Sequence, residues 1–149
     1  IGGRSCSTLA SFLSYYLNYI FDDVRLIRSD SVTESIEEIH RIGDEDVILA
    51  ISFPRYSVKT IQTVSFAKNR KAKIIAITDG AQSPLAKYAD CSIYAGSDMV
   101  SFVDSLVAPL SVVNALLAAL SMRYKDSVTD TMLSMESIWN TMNEYEHID

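Results

Sequence analysis

Cysteine is scarce in this sequence, and its two copies lie far apart. Cys6 and Cys91 are the two cysteines among 149 residues, and they have no paired spacing. Such usage is typical of a reduced cytosolic protein rather than of a disulfide-stapled secreted domain. The sequence also lacks clusters of metal-ligating residues at workable spacing, so we expect no metal and no cofactor. No signal peptide precedes Ile1, and we predict a cytoplasmic location.

Positive charge is also in short supply. Lys and Arg total 13 against 19 Asp and Glu, and the net charge is −6. A domain that binds DNA normally presents a basic face to neutralise phosphates, and no Lys/Arg cluster occurs here. This balance argues against nucleic acid as a direct partner of the chain. Contact with DNA would require another domain.

Charge of either sign is missing from residues 105–122. The length of this run approaches that of a membrane-spanning helix. However, Pro109, Asn114 and three serines interrupt it. We therefore expect a helix buried on nearly all sides, in a core or a subunit interface, and no membrane partner.

Short apolar runs alternate with helical periods along the rest of the chain. We predict helices over residues 9–20, 33–42, 57–69 and 102–125, and a last helix from about Val128. We predict strands over residues 24–27, 46–51, 73–78 and 91–94, with Ile1 ending a first strand. Strands that alternate with helices indicate an α/β fold with a parallel sheet. The fold class predicted is a three-layer, doubly wound, five-stranded parallel sheet of the flavodoxin-like type.

Three predicted strand-to-helix turns, at residues 2–8, 52–57 and 78–84, combine hydroxyl side chains with a helix beginning. Ligands of such sheets bind beyond the carboxyl ends of the strands. Helix N-termini hold oxyanions, and hydroxyl and guanidinium groups add hydrogen bonds to them. A single serine in such a turn is more often a helix cap. The three turns together predict a small-anion site made of Arg4, Ser5, Cys6, Ser7, Ser52, Arg55, Tyr56, Ser57, Thr78, Asp79 and Ser83.

At these turns the sequence resembles the sugar isomerase (SIS) domain family. The resemblance is carried by Ala-Ile-Thr-Asp at 76–79, Ser-Pro-Leu-Ala at 83–86 and Ala-Asp at 89–90. The runs at 53–57 and 102–106 look like the effector domain of RpiR-type transcription regulators. The resemblance implies one SIS domain over residues 1–149 with a truncated first strand, a sugar phosphate or similar small anion as ligand, and a homo-oligomer (dimer or tetramer). It also implies a DNA-binding domain outside this chain.

Two positions depart from the family pattern. Cys6 stands where the family has a serine, and Pro54 and Arg55 replace a serine and a glycine of the third-strand motif. Proline removes both a hydroxyl and an N–H donor. Arg55 then either binds the anion as a cation or closes the pocket.

The main alternative is an aldose/ketose phosphate isomerase, which needs a base beside the reacting carbons. Asp104 is the best candidate for such a base, although it also reads as a first-turn helix charge. We interpret His40 and His147 as surface residues. A Cys6 nucleophile lacks a His–Asp partner, and a dinucleotide site lacks its third glycine. We assign no catalytic residue.

Overall fold

The computed structural model of the chain describes residues 1–28, 30–98 and 102–145. Within these residues there are five helices and three strands. The helices are α1 (Cys6–Leu17), α2 (Val32–Glu38), α3 (Val58–Asn69), α4 (Val107–Arg123) and α5 (Lys125–Met142). The strands are β1 (Val47–Ile51), β2 (Lys73–Thr78) and β3 (Cys91–Tyr94).

The strands form one parallel sheet in the order β1-β2-β3. Ile51 of β1 is in register with Ile77 of β2, which in turn is in register with Ile93 of β3. The start of the chain lies beside β1, because the Ile51 N–H donates to the Ile1 carbonyl at 2.9 Å. A parallel bridge joins Gly2 to Ile51. The first turn and the β1–α3 loop therefore leave the same edge of the sheet.

Both faces of the sheet are covered by helices. Ile48 and Ala50 of β1 point into a core built with α3, against which α2 packs. Leu49 and Ile51 point into the opposite core, built with α1 and α4. Strands buried on both faces read as continuous apolar runs, which is how β1 and β2 are recognised in the sequence. The predicted three-layer α/β/α architecture is confirmed.

The predicted number of five strands was wrong. The first predicted strand amounts to the single bridge at Gly2, and residues 24–27 make no strand pairing. Leu26 and Ile27 still pack into the two opposite cores, as strand residues would. A strand is defined by ladder hydrogen bonds, however, and the short Ile1–Gly2 segment directs its own to β1.

Three predicted helix boundaries also differ. The second helix ends at Glu38 rather than at residue 42, and α5 begins at Lys125, right after a 99° bend from α4. Helix α4 begins at Val107, not at 102. A start at 102 would place Pro109 in the helix interior, whereas from Val107 it lies in the first turn, where a missing N–H costs little. Asp104 therefore precedes the helix.

Helices α4 and α5 are largely exposed in the single chain. Pro109 and Val113 are the buried residues of α4, and α5 has none. Deep burial of residues 105–122 in the core of one subunit was thus a wrong expectation, and burial in a subunit interface stays a prediction. Among the described residues, no single helix has the length and apolar composition to cross a membrane; α4 and α5 meet that test only as a bent pair.

Candidate functional site

The candidate site lies where the chain leaves the sheet toward opposite faces. The first turn leads into α1 on one face, and the loop after β1 leads into α3 on the other. Such a switch point opens a crevice in a parallel sheet. Gly3 allows the two loops to touch, because a Cβ at this position would lie 2.4 Å from Ser57 Oγ.

Two serine hydroxyls stand at the beginning of α3. Ser57 is its N-cap and accepts from the Thr60 N–H at 3.3 Å. Ser52 Oγ accepts a long hydrogen bond from the Ser57 N–H at 3.4 Å. Because a hydroxyl both accepts and donates, each serine retains its own proton for another acceptor. The N-terminus of this 12-residue helix adds partial positive charge.

Thr60 presents an unpaired hydroxyl beside these serines. Its side chain is fully buried, and Oγ1 has no hydrogen-bond partner within the described part of the chain. The same oxygen lies against Gly3, at 3.1 Å from the position of an added Cβ. A buried polar group without a partner costs about 1–3 kcal/mol. The first turn of α3 thus has hydrogen-bonding capacity that the protein itself does not use.

Asp104 connects the two loops from the segment that precedes α4. The Ser5 hydroxyl donates to Asp104 Oδ2 at 2.9 Å, and Arg55 Nη2 donates to Oδ1 at 3.0 Å. The hydrogen bond from Ser5, followed by that from Arg55, holds the pKa of Asp104 below its ordinary value. Asp104 was missed as a binding-site residue because it was expected inside a helix. Its signal was an acidic residue just before an apolar helix.

The space enclosed at this crevice is small. The cavity measures about 20 Å³, which holds roughly one water molecule. Sites for small organic ligands typically measure about 300–1,000 Å³. The lining residues come from the first turn, the β1–α3 loop and the segment before α4: Gly3, Arg4, Ser5, Cys6, Ser52, Phe53, Pro54, Arg55, Ser57, Asp104 and Leu106. The site is therefore closed in this structure.

Both arginines of the crevice have left-handed backbone conformations. The φ angle is 55° at Arg4 and 65° at Arg55. Non-glycine residues rarely adopt this region, and each such residue costs about 1–3 kcal/mol unless its surroundings enforce it. Strained residues of this kind cluster at ligand-binding loops. The strain falls on the two loops that the sequence predicts to bind the anion.

The third predicted turn supports the second one from behind. Thr78 is buried and donates to the Ser52 carbonyl at 2.6 Å, and its Oγ1 lies 2.7 Å from Ser83 Oγ. The Tyr56 hydroxyl donates to Asp79 at 2.9 Å. Burial, and then this hydrogen bond, raise the pKa of Tyr56 above its ordinary value. Neither Tyr56 nor any of the three third-turn residues lines the small cavity. Contact of Thr78, Asp79 and Ser83 with a ligand stays a prediction.

The remaining residues of the first turn face in different directions. Cys6 is buried, and burial raises the pKa of its thiol above the ordinary value. This shift opposes a nucleophilic role. Ser7 donates to the Arg4 carbonyl at 2.6 Å. Together with Arg4 it lines a neighbouring cavity of about 370 Å³ that also includes Arg28 and Lys59.

The histidines are not brought to the crevice. His40 is exposed, and its Nδ1 lies 2.8 Å from the Glu37 carbonyl in the turn after α2. His147 lies outside the described residues. Across the described ranges, no group of three His, Cys, Asp or Glu residues is arranged to hold a metal ion.

Comparison with known proteins gives one family and one regulator. The family model of the SIS domain matches residues 1–119. The chain is 31% identical over 105 residues to an HTH-type transcriptional regulator of Caldanaerobacter subterraneus. That alignment covers 64% of this chain but 37% of the regulator, so the chain spans well under half the length of this relative.

Solved structures share the architecture. The sugar isomerase domain of an RpiR transcription factor from Sphaerobacter thermophilus superposes with a TM-score of 0.77 at 25% identity, covering 88% of this chain and 73% of that chain. The Vibrio vulnificus NanR protein complexed with ManNAc-6P gives 0.77 at 18% identity, covering 95% and 54%. An E. coli CFT073 protein in complex with a sugar phosphate gives 0.69 at 21%, covering 90% and 73%. At these lower identities the likeness of the last two shows the fold alone.

Proposed function

Because the chain belongs to the SIS domain family, we propose that it binds a phosphorylated sugar as the effector-sensing domain of a bacterial transcription regulator. The similarity to an HTH-type regulator and to an RpiR sugar isomerase domain supports the regulatory role. DNA binding would reside in a part of the protein beyond this chain, since the net charge of the chain is −6. The protein would act in the cytoplasm.

The ligand class is proposed from the chemistry of the crevice. Ser52 and Ser57 each have a hydroxyl proton to donate, beside the positive end of α3 and the unpaired hydroxyl of Thr60. These donors suit a phosphate, whose oxygens only accept hydrogen bonds when it is fully ionised. The complexes of two structural neighbours, one with ManNAc-6P and one with a second sugar phosphate, fit the same class. The donor cluster at the start of α3 is the observation that carries the proposal.

We assign the predicted residues to distinct roles within this site. Ser52, Ser57 and Arg55 would hold the phosphate, and Arg4, Ser5 and Cys6 would meet the sugar from the first turn. The other predicted residues would position these loops: Ser7 through Arg4, Thr78 and Ser83 through Ser52, and Asp79 through Tyr56. The crevice of about 20 Å³ must widen before a sugar phosphate enters.

The second candidate function is an aldose/ketose phosphate isomerase. It is favoured by the position of Asp104, a carboxylate at the crevice, and by the fold shared with a putative sugar-phosphate isomerase of Listeria monocytogenes. A general base works best when its pKa lies near the working pH. The hydrogen bonds from Ser5 and Arg55 move the pKa of Asp104 in the opposite direction, which favours the sensor. Solvent exchange of the C2 proton of the bound sugar would occur with an isomerase and not with a sensor.

We also propose that the chain forms a homo-oligomer, a dimer or tetramer. Helices α4 and α5 expose large apolar side chains, namely Val107, Met122, Leu133, Ile138 and Met142. Contiguous apolar surface of this kind marks association sites. Leu133→Asp should shift the sedimentation coefficient toward that of the monomer. A wild-type chain that sediments as a monomer at all concentrations would contradict the proposed association.

Calorimetric titration with a panel of sugar phosphates tests ligand binding. We expect at least one to bind the wild-type chain and Arg55→Ala to weaken that binding about tenfold or more. Arg25→Ala is the matched control, because it also removes an arginine from an exposed pair with an aspartate, here Asp23. Equal affinity of Arg55→Ala and wild type would remove Arg55 from the site. Failure of every sugar phosphate to bind would contradict the proposed function.

A further inference from the structure

We propose that the Asp104 carboxylate is an internal competitor of the anionic ligand, which must displace it from Ser5 and Arg55 in order to bind. This inference rests on the proposed function and adds a closed, self-occupied state to it. Asp104 spans the crevice through two hydrogen bonds, at 2.9 Å from Ser5 Oγ and 3.0 Å from Arg55 Nη2.

The competition follows from the identity of the donors. A hydroxyl from the first turn and a guanidinium from the β1–α3 loop are the groups that would otherwise bind an oxyanion from the two sides of the crevice. A carboxylate, like a phosphate, presents oxygens that accept from both at once. One set of donors cannot serve both anions. Binding of the ligand and the Asp104 contacts therefore exclude each other.

The closed volume supports the same conclusion. Asp104 and Arg55 both line the cavity of about 20 Å³ that they bridge. Their side chains retain 25% and 56% exposure, so water and an incoming anion reach the pair. An ion pair accessible to solvent is weak enough for a ligand to open. The contact delays and weakens binding without preventing it.

Displacement of Asp104 would also move the start of α4. Asp104 lies three residues before Val107, where α4 begins, and Leu106 of the same segment lines the cavity and packs against the core under α1. Since α4 continues into α5 through a single residue, Tyr124, a shift of this segment reaches the exposed apolar helices. The contact thus gives the ligand a mechanical route to the outer face of the domain.

The test measures the affinity of inorganic phosphate for the wild-type chain and for Asp104→Asn at constant ionic strength. When a competing contact is removed, the binding-competent fraction rises and the apparent dissociation constant falls, here by roughly tenfold. Asp44→Asn is the charge control, because Asp44 is exposed at the opposite edge of the sheet, before β1. We expect its phosphate affinity to stay within about twofold of wild type, since screening removes long-range effects.

Simple repulsion between Asp104 and an anion would also be relieved by Asp104→Asn, so a double-mutant cycle with Arg55→Ala separates the two causes. In the Arg55→Ala background the Asp104–Arg55 contact is already broken. Competition therefore predicts that most of the gain disappears there, whereas repulsion predicts that it persists. If Asp104→Asn unfolds, Asp104→Ser enters the cycle in its place.

The outcomes distinguish this inference from the function on which it rests. Phosphate binding that is equal in wild type and Asp104→Asn, or a gain that persists in Arg55→Ala, overturns the competition and leaves the sensor proposal standing. Absence of phosphate binding in all variants overturns the competition. If sugar phosphates also fail to bind, it is the sensor proposal that falls with it.

Discussion

Replacement of Gly3 by alanine tests the close approach of the two loops that form the crevice. An added Cβ would lie 2.4 Å from Ser57 Oγ and 2.6 Å from Ser57 Cβ. Normal contacts between such atoms are longer by roughly 1 Å, so the start of α3 or the first turn must shift by a similar distance. Overpacking of this kind costs about 1–3 kcal/mol. For a domain of this size, that corresponds to a fall in Tm of roughly 2–12 °C.

The assay is thermal denaturation of Gly3→Ala beside Gly43→Ala. The control adds the same methyl group where no atom lies within 4 Å, and no glycine of the described chain has a positive φ. It should therefore be neutral or stabilise by up to about 1 kcal/mol, through the unfolded state. Gly3→Ala should also lose affinity for sugar phosphate, since Ser57 is displaced. Equal melting temperatures of the two variants would refute the close approach.

Two further perturbations probe the support of the site and the sheet edge. Thr78→Val keeps the side-chain shape but leaves the Ser52 carbonyl and Ser83 without their buried partner, so we expect urea denaturation to show a loss of about 1–3 kcal/mol, while Thr78→Ser should lose less. Asp90 accepts from Lys68 Nζ at 2.7 Å and from the Ile74 N–H at 2.8 Å, which together lower its pKa. A lowered folded pKa gives stability that is present above the ordinary value of 3.8 and lost as the pH falls through the folded value. Asp90→Asn should therefore flatten the acid limb of the pH–stability curve below about pH 4, and an unchanged limb would contradict this reading.

The central sheet was predictable because its strands are covered on both faces. In β1 and β2 the apolar residues are continuous, and the predicted bounds of β2 and β3 agree with the structure. Residues 24–27 have the same composition but lack a ladder. Hydrogen-bond pairing depends on a neighbouring strand, which local sequence does not encode.

The site was predictable in its loops but not in its closure. Serines before α3 and glycines in the first turn have local signatures, since helix caps and close approaches restrict the residue type. The contact between Ser5 and Asp104 joins residues from distant parts of the chain and depends on where α4 starts. The sequence pattern suggested a helix from residue 102, and Pro109 moved its start to Val107. Only the folded chain shows that Arg55 meets Asp104 instead of open solvent.

The position of a bound sugar phosphate in a crystal structure of the complex tests the central claim most directly. The account predicts the phosphate at the start of α3, with oxygens at about 3 Å from the Ser52 and Ser57 hydroxyls, and Asp104 no longer bonded to Arg55. A phosphate found instead in the neighbouring cavity beside Arg28 and Lys59, with the Asp104–Arg55 pair intact, would contradict it.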